Sequence, residues 1–141
     1  MSNMTTSMHW KGGLQFEAVG EFGHTITTDI SVKGGGEGAG HKPTELLLWG
    51  VASCTGVDVI RILKKQRQEV TGLEVEVTGH QGQDYPKYFH TMEVRYKFRG
   101  KDLDENKIRQ AIELSEEKYC AVSQTVTHEG KVETSFEIMG E

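Results

Sequence analysis

Apolar and polar residues alternate along this chain in two different rhythms, separated by a long stretch with neither. Over "MHWKGGLQFEAVG" (8–20) two short runs flank Gly12-Gly13, a hairpin signal, and the Thr- and Ile-rich "HTITTDI" (24–30) predicts a third strand. Gly34, Gly35, Gly36, Gly38 and Gly40 then make "KGGGEGAGHK" (33–42) a flexible connector. Pro43 suits the first position of a helix, and from there to about Arg67 apolar residues fall on every side. A helix apolar all round is a buried one. Lys64, Lys65 and Arg67 crowd its last turn, where cations suit the helix dipole. Gly50, Ser53 and Gly56, at three-residue spacing, narrow one face for close packing.

Two-residue alternation returns in "LEVEVTGH" (73–80) and "YFHTMEVRYKF" (88–98), where Met92, Val94, Tyr96 and Phe98 share a face. These predict two half-buried antiparallel strands joined through "QGQDYPK". Asp102 with Glu105 three residues on predicts a helix cap. "ENKIRQAIELSEEKYC" then sets Ile108, Ala111, Ile112 and Ser115 on one stripe of an amphipathic helix ending near Cys120, and "VETSFEIM" (132–139) predicts a closing strand. With no repeat and no dividing linker, the order describes one α+β domain over residues 1–141, large enough for its own core. The all-round apolar helix needs more cover than one small sheet provides, so a homodimer is expected.

Composition narrows the partners. A net charge of -5, with both signs interspersed and no basic stripe, excludes a nucleic-acid partner. The longest uncharged apolar run, "LLLWGVASCTGV" (46–57), is too short to cross a bilayer and no membrane association is expected. "MSNMTTSMHWKGG" lacks a cationic start followed by an apolar run, so a cytoplasmic location is expected. In that compartment Cys54 and Cys120 are either inert thiols or a transient working pair rather than a structural disulfide. The six histidines show no metal-ligand spacing, so no metal and no cofactor is expected.

Two segments carry a family resemblance. "HKPTELLLWGVASC" resembles the Pro-x-Glu-Leu-Leu…Ala-x-x-Cys segment of the OsmC/Ohr family, the osmotically inducible and organic hydroperoxide resistance proteins. "KYCAVSQTV" resembles that family's second motif, usually Cys-Pro-Val-Ser, with Ala121 in place of the proline. The two cysteines stand 66 residues apart and the order of elements between them matches. The resemblance implies an OsmC-like fold, an intertwined homodimer with antiparallel sheets around a long buried central helix. It also implies a thiol peroxidase needing no cofactor. Cys54 would attack the O–O bond of hydrogen peroxide or an organic hydroperoxide and become a sulfenic acid. Cys120 would resolve it as a disulfide, and an external dithiol would reduce that.

The residues constrain this chemistry. An apolar setting holds a thiol neutral, whereas the thiolate is the reactive form. The helix start gives no help: Cys54 lies eleven residues past Pro43, about 16 Å at 1.5 Å per residue, and the dipole fades within a turn. The family's best-known members use an arginine from the N-terminal sheet, held by a glutamate. Glu45 stands at the glutamate position, but no arginine precedes Arg61, so the chain resembles a branch without it. Arg61, two turns beyond Cys54 on the same face, is a candidate substitute. Asp58 between them opposes it by raising the thiol's pKa, and an Asp58–Arg61 ion pair is the plainer reading of both. Glu45, nine residues before Cys54, falls on the opposite helix face about 13 Å away. It serves a Cys54 site only across a dimer interface; otherwise it simply favours its own helix start. Two further functions fit the pattern: a non-catalytic small-molecule-binding or redox-sensing protein on the same scaffold, and a hot-dog-type thioesterase, indifferent to thiol alkylation.

Overall fold

In the computed structural model, which describes residues 3–128 and 130–139, the chain divides into two compact units, 1–50 and 51–141. The first holds a three-stranded antiparallel meander of β1 (His9–Gly12), β2 (Gln15–Val19) and β3 (Thr25–Thr28). Its first turn has the left-handed backbone at Gly12 (φ 100°) and Gly13 (φ 54°) that the glycine pair predicts. Helix α1 (Pro43–Lys65) starts in this unit and runs on into the second.

The glycine-rich segment after β3 is a pinned loop, not a loose connector. The buried Asp29 carboxylate accepts the backbone N–H groups of Ile30 (2.7 Å), Ala39 (3.0 Å) and Glu37 (3.2 Å). Glycine is used here for close approach. A Cβ on Gly36 would strike the Ile30 carbonyl and the Asp29 carboxylate, and one on Gly40 would strike the Thr27 carbonyl. The Asp29 carboxyl lies below the usual carboxylate range because the Ala39 and Ile30 N–H groups, with that of Glu37, outweigh its burial.

In the second unit β4 (Glu69–Gln81) and β5 (Phe89–Lys101) form a long antiparallel ribbon, with Leu73 opposite Phe98 and Val75 opposite Tyr96. Alternate residues face inward along both strands, as the period-two pattern predicts. Helix α2 (Glu105–Leu114) lays Ile108, Ala111 and Ile112 on the same core as Val59, Leu63, Val70, Tyr96 and Phe98. The α1 residues buried in this unit, Val51, Thr55, Val59 and Leu63, recur every four positions with Gly56 beside them, and form one helix face. Leu47, Trp49, Val57 and Ile60 on other faces keep 38–48% of their surface.

Three local expectations change. The cap of α2 is Asp104, whose side chain accepts the Asn106 N–H at 2.9 Å; Asp102 instead occupies a left-handed turn (φ 49°) leaving β5. The second helix does not run evenly to Cys120. It widens into a π-helical turn over Ser115–Tyr119, breaks at Cys120, and restarts as the short α3 (Ala121–Thr127). The predicted strand over 132–139 is absent. A strand requires a hydrogen-bonded neighbour, and among the described residues none pairs with it, so Val132, Phe136 and Ile138 stand exposed.

Helix α1 is long and apolar enough to cross a membrane by length and composition. Its second half instead carries Asp58 and Arg61 and is tied by side-chain hydrogen bonds to β5 and to the π-helical turn, the marks of a core helix.

Candidate active site

Thr55 is a hydroxyl on the otherwise apolar face that α1 turns to the β4–β5 ribbon, and it is 1% exposed. Its Oγ1 lies 2.7 Å from Tyr96 Oη and 2.8 Å from Ser115 Oγ, and Ser115 Oγ in turn donates to Asp58 Oδ2 at 3.2 Å. Each hydroxyl has one proton and an ionised carboxylate only accepts. The chain of donors therefore has one direction: Tyr96 to Thr55, Thr55 to Ser115, Ser115 to Asp58. Burial, chiefly, pushes the Tyr96 phenol up; the Thr55 hydrogen bond opposes this, and the negative charge of Glu116, Cys120 and Asp58 adds to it.

The π-helical turn is what delivers Ser115. The Cys120 N–H bonds the Ser115 carbonyl five residues back, at 2.8 Å. That extra residue per turn displaces the chain from regular helix, as such bulges do. Cys120 then adopts an extended conformation (ψ 103°) and becomes the N-cap of α3, its sulfur accepting the Ser123 N–H at 3.4 Å. Cys120 is fully buried.

Cys54, one residue off the buried face of α1, is half-buried, and its sulfur, the Cys120 sulfur and an Asp58 oxygen lie within 4.8 Å of one another. The backbone N–H of Val122, in the first turn of α3, also reaches Cys54. Desolvation pushes the Cys54 thiol above its ordinary value. The Val122 N–H pulls it back, while the Cys120 hydrogen bond and charge and the Asp58 charge push it further up.

Of the residues singled out in the sequence, Cys54, Cys120 and Asp58 stand together. Arg61 does not join them. It is exposed and lines an open groove of about 380 Å³ with Asp58, Ile62, Lys65, Gln66, Leu114 and Tyr119. Among the described residues no Asp58–Arg61 ion pair forms, and Asp58 takes the Ser115 hydroxyl instead. Glu45 lies in the first unit, where its Oε1 accepts the Lys42 N–H at 3.4 Å, the reach-back bond of a helix cap. Thr55, Ser115 and Tyr96 were not foreseen as site residues. Their signal was present: each is a hydroxyl on a face that the periodicity assigns to the core.

The sequence pattern of the family described as OsmC-like protein matches residues 34–135. Protein YhfA of Escherichia coli (strain K12) is 29% identical over 136 residues, covering 96% of this chain and 98% of its own length. Among solved structures, a hypothetical protein from Aquifex aeolicus VF5 is 35% identical with a TM-score of 0.79, over 90% of this chain and 89% of that one. An organic hydroperoxide resistance protein OsmC from Legionella pneumophila has the same fold at 18% identity, with a TM-score of 0.63 over 89% of this chain and 91% of that one.

Proposed function

The chain belongs to the OsmC-like family, and from that premise we propose that it is a thiol-dependent hydroperoxide reductase working through Cys54 and Cys120. The observation that carries the reading is the meeting of two sulfurs, 66 residues apart in sequence, within 4.8 Å. In the first step the Cys54 thiolate attacks the distal oxygen of ROOH. The O–O bond breaks, Cys54 becomes a sulfenic acid, and the alkoxide leaves as ROH after taking a proton. In the second step the Cys120 sulfur attacks the sulfenic sulfur, water leaves, and the Cys54–Cys120 disulfide forms. An external dithiol returns both sulfurs to thiols and is itself oxidised to a disulfide.

The N–H groups of Val122 and Ser123 each reach one sulfur, so a thiolate formed on either meets a donor where a buried carbon surface would offer none. We extend the reading to one α+β domain acting as a cytoplasmic homodimer. The partly exposed α1 side chains Trp49, Val57 and Ile60 and the exposed Val132, Phe136 and Ile138 are apolar surface that a second copy would cover. In that dimer Glu45 would approach a cysteine pair of the partner.

A second reading, a redox sensor or small-molecule binder on the same scaffold, draws on the raised Cys54 thiol and the lack of an arginine before Arg61. A thioesterase would leave the sulfur pair without a use. The deciding experiment treats the reduced protein with one equivalent of cumene hydroperoxide at pH 7 and maps thiols by mass spectrometry. Loss of both thiols to a Cys54–Cys120 disulfide, with sulfenic acid trapped on Cys54 in Cys120→Ser, is the expected result. Turnover with a dithiol reductant separates the enzyme from a sensor that oxidises once.

A further inference from the structure

We propose that the reduced protein binds a soft divalent cation of the Zn²⁺ class through Cys54 Sγ, Cys120 Sγ and a carboxylate oxygen of Asp58. This goes beyond the peroxide reading and does not rest on it. The three ligand atoms already lie within 4.8 Å of one another. Tetrahedral Zn²⁺, with Zn–S about 2.3 Å and Zn–O about 2.0 Å, sets neighbouring ligand atoms roughly 3.5–3.8 Å apart, so the trio needs to close by little more than about 1 Å.

The donor set suits the ion. Two sulfurs select a soft or borderline metal over Mg²⁺ or Ca²⁺, which require oxygen cages. Asp58 is already oriented by the Ser115 hydroxyl at 3.2 Å, and Ser115 is held by Thr55, the kind of outer hydrogen bonding that fixes a metal-binding carboxylate. Cys54 and Asp58 come from successive turns of α1, and Cys120 is held at the junction of the π-helical turn and α3, where its N–H bonds Ser115 and its sulfur caps α3.

Electrostatics points the same way. A carboxylate beside two sulfurs accumulates negative charge as the thiols ionise, and a dication neutralises it. The two thiol protons leave to solvent as the sulfurs bind. Three protein ligands leave a fourth position, and the half-buried Cys54 and Asp58 put it on the solvent side for water or an added thiol. The histidine spacing gave no hint of such a site because no histidine takes part. Metal and disulfide compete for the same sulfurs, so the ion is held only by the reduced chain.

The test uses the full chain, reduced and freed of metal. Co²⁺ is titrated and followed by absorption, and Zn²⁺ affinity is measured by competition with a chromophoric chelator. One equivalent of Co²⁺ is expected, with intense sulfur-to-metal charge-transfer bands in the near ultraviolet. Cys54→Ser and Cys120→Ser are expected to weaken Zn²⁺ binding by more than roughly 100-fold, and Ser115→Ala by about tenfold through loss of Asp58 orientation. Diamide-oxidised protein is expected not to bind. A readout needing no variant is alkylation of the wild-type chain by iodoacetamide, mapped by mass spectrometry: Zn²⁺ should protect Cys54. Binding retained by the Cys54→Ser/Cys120→Ser double variant, absence of charge-transfer bands, or a Cys54 alkylation rate unchanged by Zn²⁺ would each overturn the proposal. None of these readouts involves a peroxide.

Discussion

Asp29 and Asp58 are both carboxylates set into packed structure, and they are put to opposite use. Asp29 accepts three backbone N–H groups, its pKa is lowered, and a Cβ on the neighbouring Gly36 would strike its carboxylate. It fastens a loop. Asp58 has one hydroxyl donor, from Ser115, and two sulfurs as neighbours. Among the described residues no backbone N–H takes its remaining lone pairs. A buried carboxylate whose acceptor capacity is filled by main chain is structural, whereas one left partly unfilled beside nucleophiles is available for chemistry.

The largest effect that should separate the two regions is on oxidation. Cys54→Ser is expected to slow peroxide-driven loss of the Cys120 thiol by at least about 10³-fold, since the hydroxyl that replaces the thiol does not reduce a peroxide. Asp29→Asn, tested in parallel by thiol mapping, should leave that rate unchanged while hydrogen exchange at Ile30, Glu37 and Ala39 quickens. Equal oxidation in Cys54→Ser would break the contrast. The pH profile sharpens it. Because the Cys54 thiol is pushed up, the rate at fixed peroxide should climb about tenfold per pH unit through neutrality and level only above the ordinary thiol value near about 8.5. A plateau already reached at pH 7 would mean that an unseen cation holds the thiolate.

Next comes the hydroxyl relay. Thr55→Val keeps the shape but removes the group that joins Tyr96 to Ser115, taking away the hydrogen-bond partner of the half-buried Tyr96 hydroxyl while Ser115 keeps Asp58. The expected loss is about 1–3 kcal/mol by denaturant unfolding. A neutral result would mean that water replaces the missing hydroxyl.

The sequence made the strand pairs, the long helix and the cysteine pair legible because each is a local or periodic signal: Leu73–Val75–Val77 alternates, Pro43 opens a helix, and Cys54 and Cys120 fall in motifs. What it hid depends on tertiary meeting. The Asp58–Arg61 pair, three residues apart on a helix, is the natural local guess, but a serine 57 residues away takes the carboxylate. That serine is delivered by a π-helical turn that no periodicity in "ELSEEKYC" announces. The glycines around Asp29 read as freedom, although they are there to let the backbone close on a carboxylate. The 132–139 segment alternates like a strand, but its pattern specifies no partner.

A smaller effect turns on Asp58 itself. Its charge is one of the causes that raise the Cys54 thiol, and the last of those acting. Asp58→Asn should therefore lower that pKa and modestly speed peroxide oxidation at pH 7. The same substitution should weaken Zn²⁺ binding. Opposite signs on two readouts are hard to produce by simple loss of structure.

The smallest effect is at the other carboxylate and appears only in acid. The folded Asp29 pKa is lowered, so between that lowered value and the unfolded one, about 3.9, the folded chain holds fewer protons than the unfolded chain. Its contribution to stability is fully present above the unfolded value and is lost as pH falls through the lower folded one. Hydrogen exchange followed downward from pH 5 should thus show the Ile30–Ala39 loop loosening relative to the Asp29→Asn variant, which lacks the titrating group. The Thr55–Ser115 region should change in parallel in the two proteins. Loss of protection in the loop at the same pH in both would assign the acid sensitivity elsewhere and remove Asp29's charge from the account of how that loop is held.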